Sequence, residues 1–140
     1  MRDVLFLNTP DLIARHWPAA RALLEPVVTH AARGEFTADD LQEMVATGRA
    51  HAAVVFRDGC AHLAMVFEFR LYPRKQVINV MAVGGHDLAG AAVSFWPEFV
   101  AWAKESGTDE IEACTAPAMT RVLRHLGFTH TYDIVRLACH

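Results

Sequence analysis

The stretch Val77–Gly90, VINVMAVGGHDLAG, decides how this chain is read. Its first half, VINVMAV, is apolar everywhere but Asn79, the pattern of a central strand covered on both faces. Gly84, Gly85, His86 and Asp87 follow, then Leu88, Ala89 and Gly90 open a long apolar-periodic run, AAVSFWPEFVAWAKESG. Strand, glycine turn, helix is an arrangement that holds phosphate. The first helical amides have no partner within the helix, the dipole favours an anion, and glycine lets the backbone come close. Asp87 points the other way. A carboxylate at a helix N-terminus can take those amides itself as an N-cap, and it repels a second anion. The loop is therefore either an anion cradle or a capped turn that keeps its glycines.

Composition bounds the choices. The 140 residues suggest one domain, 1–140, and 53% hydrophobic with 21% charged residues is the balance of a globular chain. The apolar content leaves room for a homo-oligomer interface as well as a core. A net charge of -3 gives no basic surplus, so no nucleic-acid partner is indicated. No apolar run approaches the ~20 residues of a membrane span. The first residues, MRDVLFLNTPDL, do not read as a signal peptide. Cys60, Cys114 and Cys139 form neither a zinc pattern nor a disulfide framework, which fits a reducing cytoplasm.

Outward from the central strand, local signals divide the chain. DVLFLN (3–8) reads as a first strand. Thr9 and Pro10 open a helical turn, Pro18 reopens a helix, and Pro26 predicts a kink or an early end. TADDLQEMVATG carries a capping box, Thr37 with Asp40, and a stop at Gly48. HAAVVFRDGCAHLAMVFEFRL is a hairpin turning at Asp58-Gly59. Pro97 is expected to kink the helix over 88–106 or mark its true start. DEIEACT is a short strand with Cys114 in the core. PAMTRVLRHLG is a helix with Met119, Val122, Leu123 and Leu126 inward, and FTHTYDIVRLA is a last strand. The order β-α-α-β-β-β-α-β-α-β predicts an α/β fold with a mixed, mostly antiparallel sheet and helices on both faces.

This order, ending in the helix, Gly-Phe and aliphatic strand of MTRVLRHLGFTHTYDIVRL, resembles the GNAT (GCN5-related N-acetyltransferase) superfamily. More narrowly it resembles small GNAT-like proteins of tailed phages and prophages, in W-P opening the first helix, T-x-x-D-L the second, and Tyr-Pro before the central strand. The resemblance implies a GNAT-like fold and acetyl-CoA or another acyl-CoA as cofactor, laid against the central strand. Met81, Val83, Gly84, Gly85, Leu88, Ala89 and Gly90 would then be cofactor-binding. It also implies an amine acceptor of unknown identity. Three departures stand against activity. The loop lacks the family's opening arginine or glutamine. Leu123 occupies the place of the tyrosine that protonates the leaving thiolate. TAPAM replaces an asparagine near the start of the last helix, and His125 points elsewhere around that helix.

Two residues are candidates for catalysis. If Asp58-Gly59 is a two-residue turn, His51 faces Val66 and Glu68 faces Arg49, so His51, Glu68 and Arg49 share one sheet face. Glu68 is then either a general base or half of a cross-strand ion pair. His86 follows the central strand, where acceptor and cofactor would meet, or is simply an exposed loop histidine. Two functions follow. One is an acyl-CoA-dependent N-acyltransferase in the cytoplasm. The other is a catalytically inactive GNAT-fold phage protein acting in virion structure, assembly or host interaction through a phage or host protein partner.

Overall fold

The structure is a computed structural model that describes residues 2–86 and 88–140. The expected Asp87 cap lies outside the described residues. The elements run β1 (Arg2–Phe6), α1 (Pro10–His30), α2 (Ala38–Ala46), β2 (His51–Arg57), β3 (Cys60–Tyr72), β4 (Lys75–Gly85), α3 (Leu88–Glu105), β5 (Glu110–Ala113) and α4 (Pro117–His125). The strands form one sheet in the order β1-β2-β3-β4-β5, antiparallel except for the parallel β4–β5 pair. The expected mixed sheet is present.

Alternation on the strands sorts the core into two layers. Ala52, Val54, Ala64, Val66 and Ala82 pack with Trp17, Ala20, Leu24 and Leu41 of α1 and α2. Val55, Met65, Phe67 and Ile78 pack on the opposite face with Phe95 and Phe99 of α3. Trp96 and Trp102 join this second layer as packing, and Trp102 stacks on Phe6 with ring centroids 4.7 Å apart.

The local start signals act as read. Thr9 Oγ1 accepts from the Leu12 amide, and Thr37 and Asp40 cap each other's backbone amides. Asp58 and Gly59 sit at φ 52° and 80°, the left-handed pair that a type I′ turn demands. None of Pro18, Pro26 and Pro97 ends or starts a helix here. α1 continues through Pro18 and Pro26, and α3 through Pro97. In α1 the face formed by Trp17, Ala20 and Leu24 is fully buried. Packing along such a face outweighs the ~3 kcal/mol that an interior proline costs.

Three further expectations are corrected. First, Phe56 faces Ala61 as the turn dictates, but a register shift follows, and Val55 faces Leu63 with His62 as the extra residue. His51 therefore faces Phe67 rather than Val66, on the α3 side, while Glu68 points to the α1–α2 side. Arg49 precedes β2, its amide bonded to Met44 O, and does not face Glu68. Second, Cys114 is exposed just after β5 rather than in the core. Third, residues 128–140 join no ladder, and α4 buries no residue fully.

Gly84 and Gly85 are explained by close approach, since neither has a positive φ. A Cβ on Gly84 would lie 2.1 Å from Leu23 O of α1, and one on Gly85 2.4 Å from His62 O of β3. Gly84→Ala must push α1 off the sheet. The expected loss is about 1–3 kcal/mol, as for an overpacked core, or a drop of about 3–10 °C in the thermal midpoint followed by circular dichroism. An unchanged midpoint would contradict this packing.

His51 packs against Phe67 and Phe69, with ring centroids 5.5 and 5.3 Å away, and burial pushes its pKa below the usual 6.5. The unfolded chain then takes up this proton before the folded chain does. The stability that His51 contributes is whole above pH 6.5 and falls as pH drops below it. Urea unfolding on either side of that pH should show a shallower loss in His51→Gln than in the wild type.

Candidate active site

The site begins where β4 breaks its own alternation. Val66 faces Ala82, but Phe67 faces Val80, so Met81 is an extra residue, a β-bulge on β4. The parallel ladder with β5 stops at the same place, pairing only Val77–Val80 with Glu110–Ala113. β4 continues to Gly85, while the chain after Ala113 leaves for α4. From Met81 to Gly85 one edge of β4 faces no described strand. Beyond the bulge β4 and β5 part, leaving a cleft in the sheet, and the main-chain donors and acceptors along this stretch of β4 are groups that an extended chain can use as a strand would.

At the wide end of this cleft lie Gly84, Gly85, His86 and the first turn of α3. The His86 amide donates to His62 O at 3.0 Å, so it is not offered to a ligand. The backbone amides of Leu88, Ala89 and Gly90 belong to the first helical turn and have no helical acceptor. Of the residues expected to bind a cofactor, Met81 and Val83 line the cleft. Leu88, Ala89 and Gly90 form the helix start, and Gly84 serves the packing of α1. His86 is exposed, its ring centroid 5.9 Å from that of His62.

At the narrow end the same rung of three strands carries polar groups on the α1–α2 face. Glu68 of β3, Asn79 of β4 and Glu112 of β5 are register partners in turn. Ile78 and Ile111, the neighbours of Asn79 and Glu112, both pack on the α3 side, so Asn79 and Glu112 project to the other face. Asn79 is buried, 7% exposed, and its Nδ2 donates to Glu68 Oε2 at 2.9 Å. A buried amide on a central strand is costly without such a partner. Arg70 lies 3.7 Å from the same oxygen, and Tyr72 Oη donates to Glu112 Oε1 at 2.9 Å. Glu68 Oε1 and Glu112 Oε2 take part in none of these bonds. Lys75 pairs with Glu110 at the strand end, which raises the Lys75 pKa. Glu112 was missed in the sequence because its role depends on the register of a four-residue parallel strand.

Other places are less suited. A cavity of about 140 Å³ between β1, β2 and α3, lined by Phe6, Asn8, His51, Phe67 and Trp102, is smaller than the few hundred Å³ typical of ligand pockets. No group of three metal-ligating side chains occurs among the described residues, and no helix there is long and apolar enough to cross a membrane. Leu123 is half-buried and His125 exposed on α4, so no tyrosine stands at the position the resemblance would require.

The sequence matches no protein-family model and no curated protein. Solved structures match over nearly the whole chain. An aminoglycoside N-acetyltransferase in complex with CoA superposes with a TM-score of 0.74 at 17% identity, covering 99% of this chain and 94% of its own. A ribosomal-protein-alanine N-acetyltransferase from Brucella melitensis biovar Abortus 2308 gives 0.70 at 13% identity, covering 100% and 99%. A predicted acetyltransferase from Clostridium acetobutylicum, solved with acetyl-CoA, gives 0.70 at 12% identity, covering 99% and 96%. The β4 bulge, the cleft beside it and the helix that follows thus sit in a chain with the fold of the GNAT acetyltransferases.

Proposed function

We propose that this protein is an acyl-CoA-dependent N-acyltransferase. The observation that carries the reading is the end of the β4–β5 ladder at the Met81 bulge, with a helix N-terminus at the far end of the cleft. Acyl-CoA would supply a thioester. The backbone of Met81 and Val83 would hold the pantetheine and the acyl carbonyl, and the amides of Leu88, Ala89 and Gly90 the pyrophosphate.

The acceptor end is acidic, which suits an amine. Glu68 and Glu112 flank Asn79 on one face, and an ammonium group between them would meet a free oxygen of each. Asn79 fixes the Glu68 carboxylate, leaving Glu68 Oε1 to take the proton that an ammonium must lose before its nitrogen can attack a carbonyl. Attack forms the C–N bond, and collapse of the tetrahedral species breaks the C–S bond. No tyrosine at position 123 protonates the departing thiolate, so that proton would come from water.

Acetyl-CoA at ~100 times its dissociation constant should add about 2.7 kcal/mol of stability and raise the melting midpoint by about 5–11 °C. No rise at millimolar ligand would overturn the acyltransferase reading in favour of a catalytically inactive protein. With a primary-amine acceptor, Glu68→Gln should lower kcat by about 10²–10⁴-fold, the usual share of a general base, with acetyl-CoA affinity unchanged. Glu112→Gln should raise the acceptor KM with a smaller change in kcat. Equal effects of both variants on CoA binding alone would remove the acidic rung from the acceptor site.

A further inference from the structure

The α3 side of the sheet leaves open space beside its own aromatic rings. A cavity of about 140 Å³ lies between the end of β1, the start of β2 and Trp102 of α3. A second, of about 240 Å³, lies on the same side between Val4, Phe95 and Phe99, with Glu98 in its wall. Phe6 lines both, so its half-buried ring has room on two sides. Protein interiors are close-packed, and a ring that borders a void lacks the dispersion contacts that a filled neighbour would give it. Here the void borders rings of the core itself, since Phe67, Phe95 and Phe99 are 2% exposed or less.

The walls of the smaller cavity set the chemistry of what can fill it. Phe67 stands edge-on to Phe6 and to Trp102, with ring centroids 6.5 and 5.5 Å away, so three rings hold one another in place. Among the described residues that line it, none is an acid, a lysine or an arginine. Its polar side chains are His51, half-buried, and Asn8, exposed at the mouth. Burial holds the His51 pKa below 6.5, so at neutral pH its ring is uncharged, with one nitrogen a donor and the other an acceptor. A polyanion such as acyl-CoA finds no basic partner here, and Glu68 and Asn79 project from the other face of the sheet. The volume is too small for a cofactor but close to the ~150 Å³ in which an apolar cavity takes up one benzene ring.

We propose that the cavity between β1, β2 and α3 is a binding site for an uncharged, phenol-like aromatic ring, separate from the acyl-transfer site. The ring lies among Phe6, Phe67 and Trp102, and its hydroxyl meets His51 and Asn8 at the mouth. The larger cavity beyond Phe6 gives that side chain room to yield as the ring enters.

Phenol and toluene are probes of matched size, and only phenol can hydrogen-bond. Titrated into the full chain at neutral pH, phenol should shift the NMR signals of the Trp102 indole and of the Asn8 and His51 amides. The shifts should saturate, with a midpoint on the order of 1 mM, the scale for so small a ligand. Phenol should bind at least as tightly as toluene, because a cavity without a partner for the hydroxyl rejects it. His51→Leu should weaken phenol by about 2–10-fold, the worth of one net hydrogen bond, and leave toluene as it was. Asn8→Phe, a change at an exposed residue, should plug the mouth and abolish binding of both probes with the far-ultraviolet circular dichroism unchanged. Phenol shifts that stay linear to about ten times the expected midpoint overturn the proposal. So does a wild type that prefers toluene, and so does binding that either variant leaves intact.

Discussion

One extra residue on β4 controls both the core and the cleft. Below Met81, Ile78 and Val80 turn to the α3 layer and Asn79 to the α1 layer. Above it, Val83 turns to α3, while Ala82 and Gly84 turn to α1. Without the bulge the upper half of β4 would invert. Val83 would meet the Leu23 carbonyl where even a Cβ does not fit, and glycine would face the apolar layer of α3. The same bulge bends β4 where its ladder to β5 ends, and bulges strengthen local twist. The geometry that seats α1 therefore also opens the cleft.

This coupling changes what the glycines mean. Gly84 and Gly85 invite a phosphate reading, yet each is required by a backbone oxygen closer than 2.5 Å to the place of a Cβ. The case for an anion site rests instead on the first turn of α3, whose amides are free by the nature of a helix start. The acceptor end also rests on a buried group. Asn79 would be an expensive residue on a central strand without a partner, and its side-chain amide donates to the carboxylate of Glu68. The 3.7 Å contact with half-exposed Arg70 adds little to the fold.

What the sequence made legible was local chemistry. The Thr37–Asp40 capping box, the Asp58-Gly59 turn and the central strand around Asn79 each depend on a few neighbouring residues, and each formed as read. What it hid was register. A hairpin counted outward from its turn loses its phase at the first bulge, and the shift at Val55/Phe56 carried His51 to the opposite face from Glu68. The bulge at Met81 has no glycine or proline of its own to mark it. Glu112 became visible only once a parallel pairing set it beside Asn79. Pro26 and Pro97 did not bound their helices for a related reason: a proline's cost is local, whereas the faces that outweigh it are assembled from distant strands.

The edge strand links the two ends of this molecule. β5 supplies Glu112, yet it is four residues long and, among the described residues, its ladder runs on one side only. A short strand with a single ladder is a poor wall, because local opening is easiest where few hydrogen bonds and few buried contacts resist it. Its outer neighbours, α4 and the segment after it, bury no side chain fully and add little stiffness. The placement of Glu112 beside Asn79 therefore depends on a single four-rung ladder.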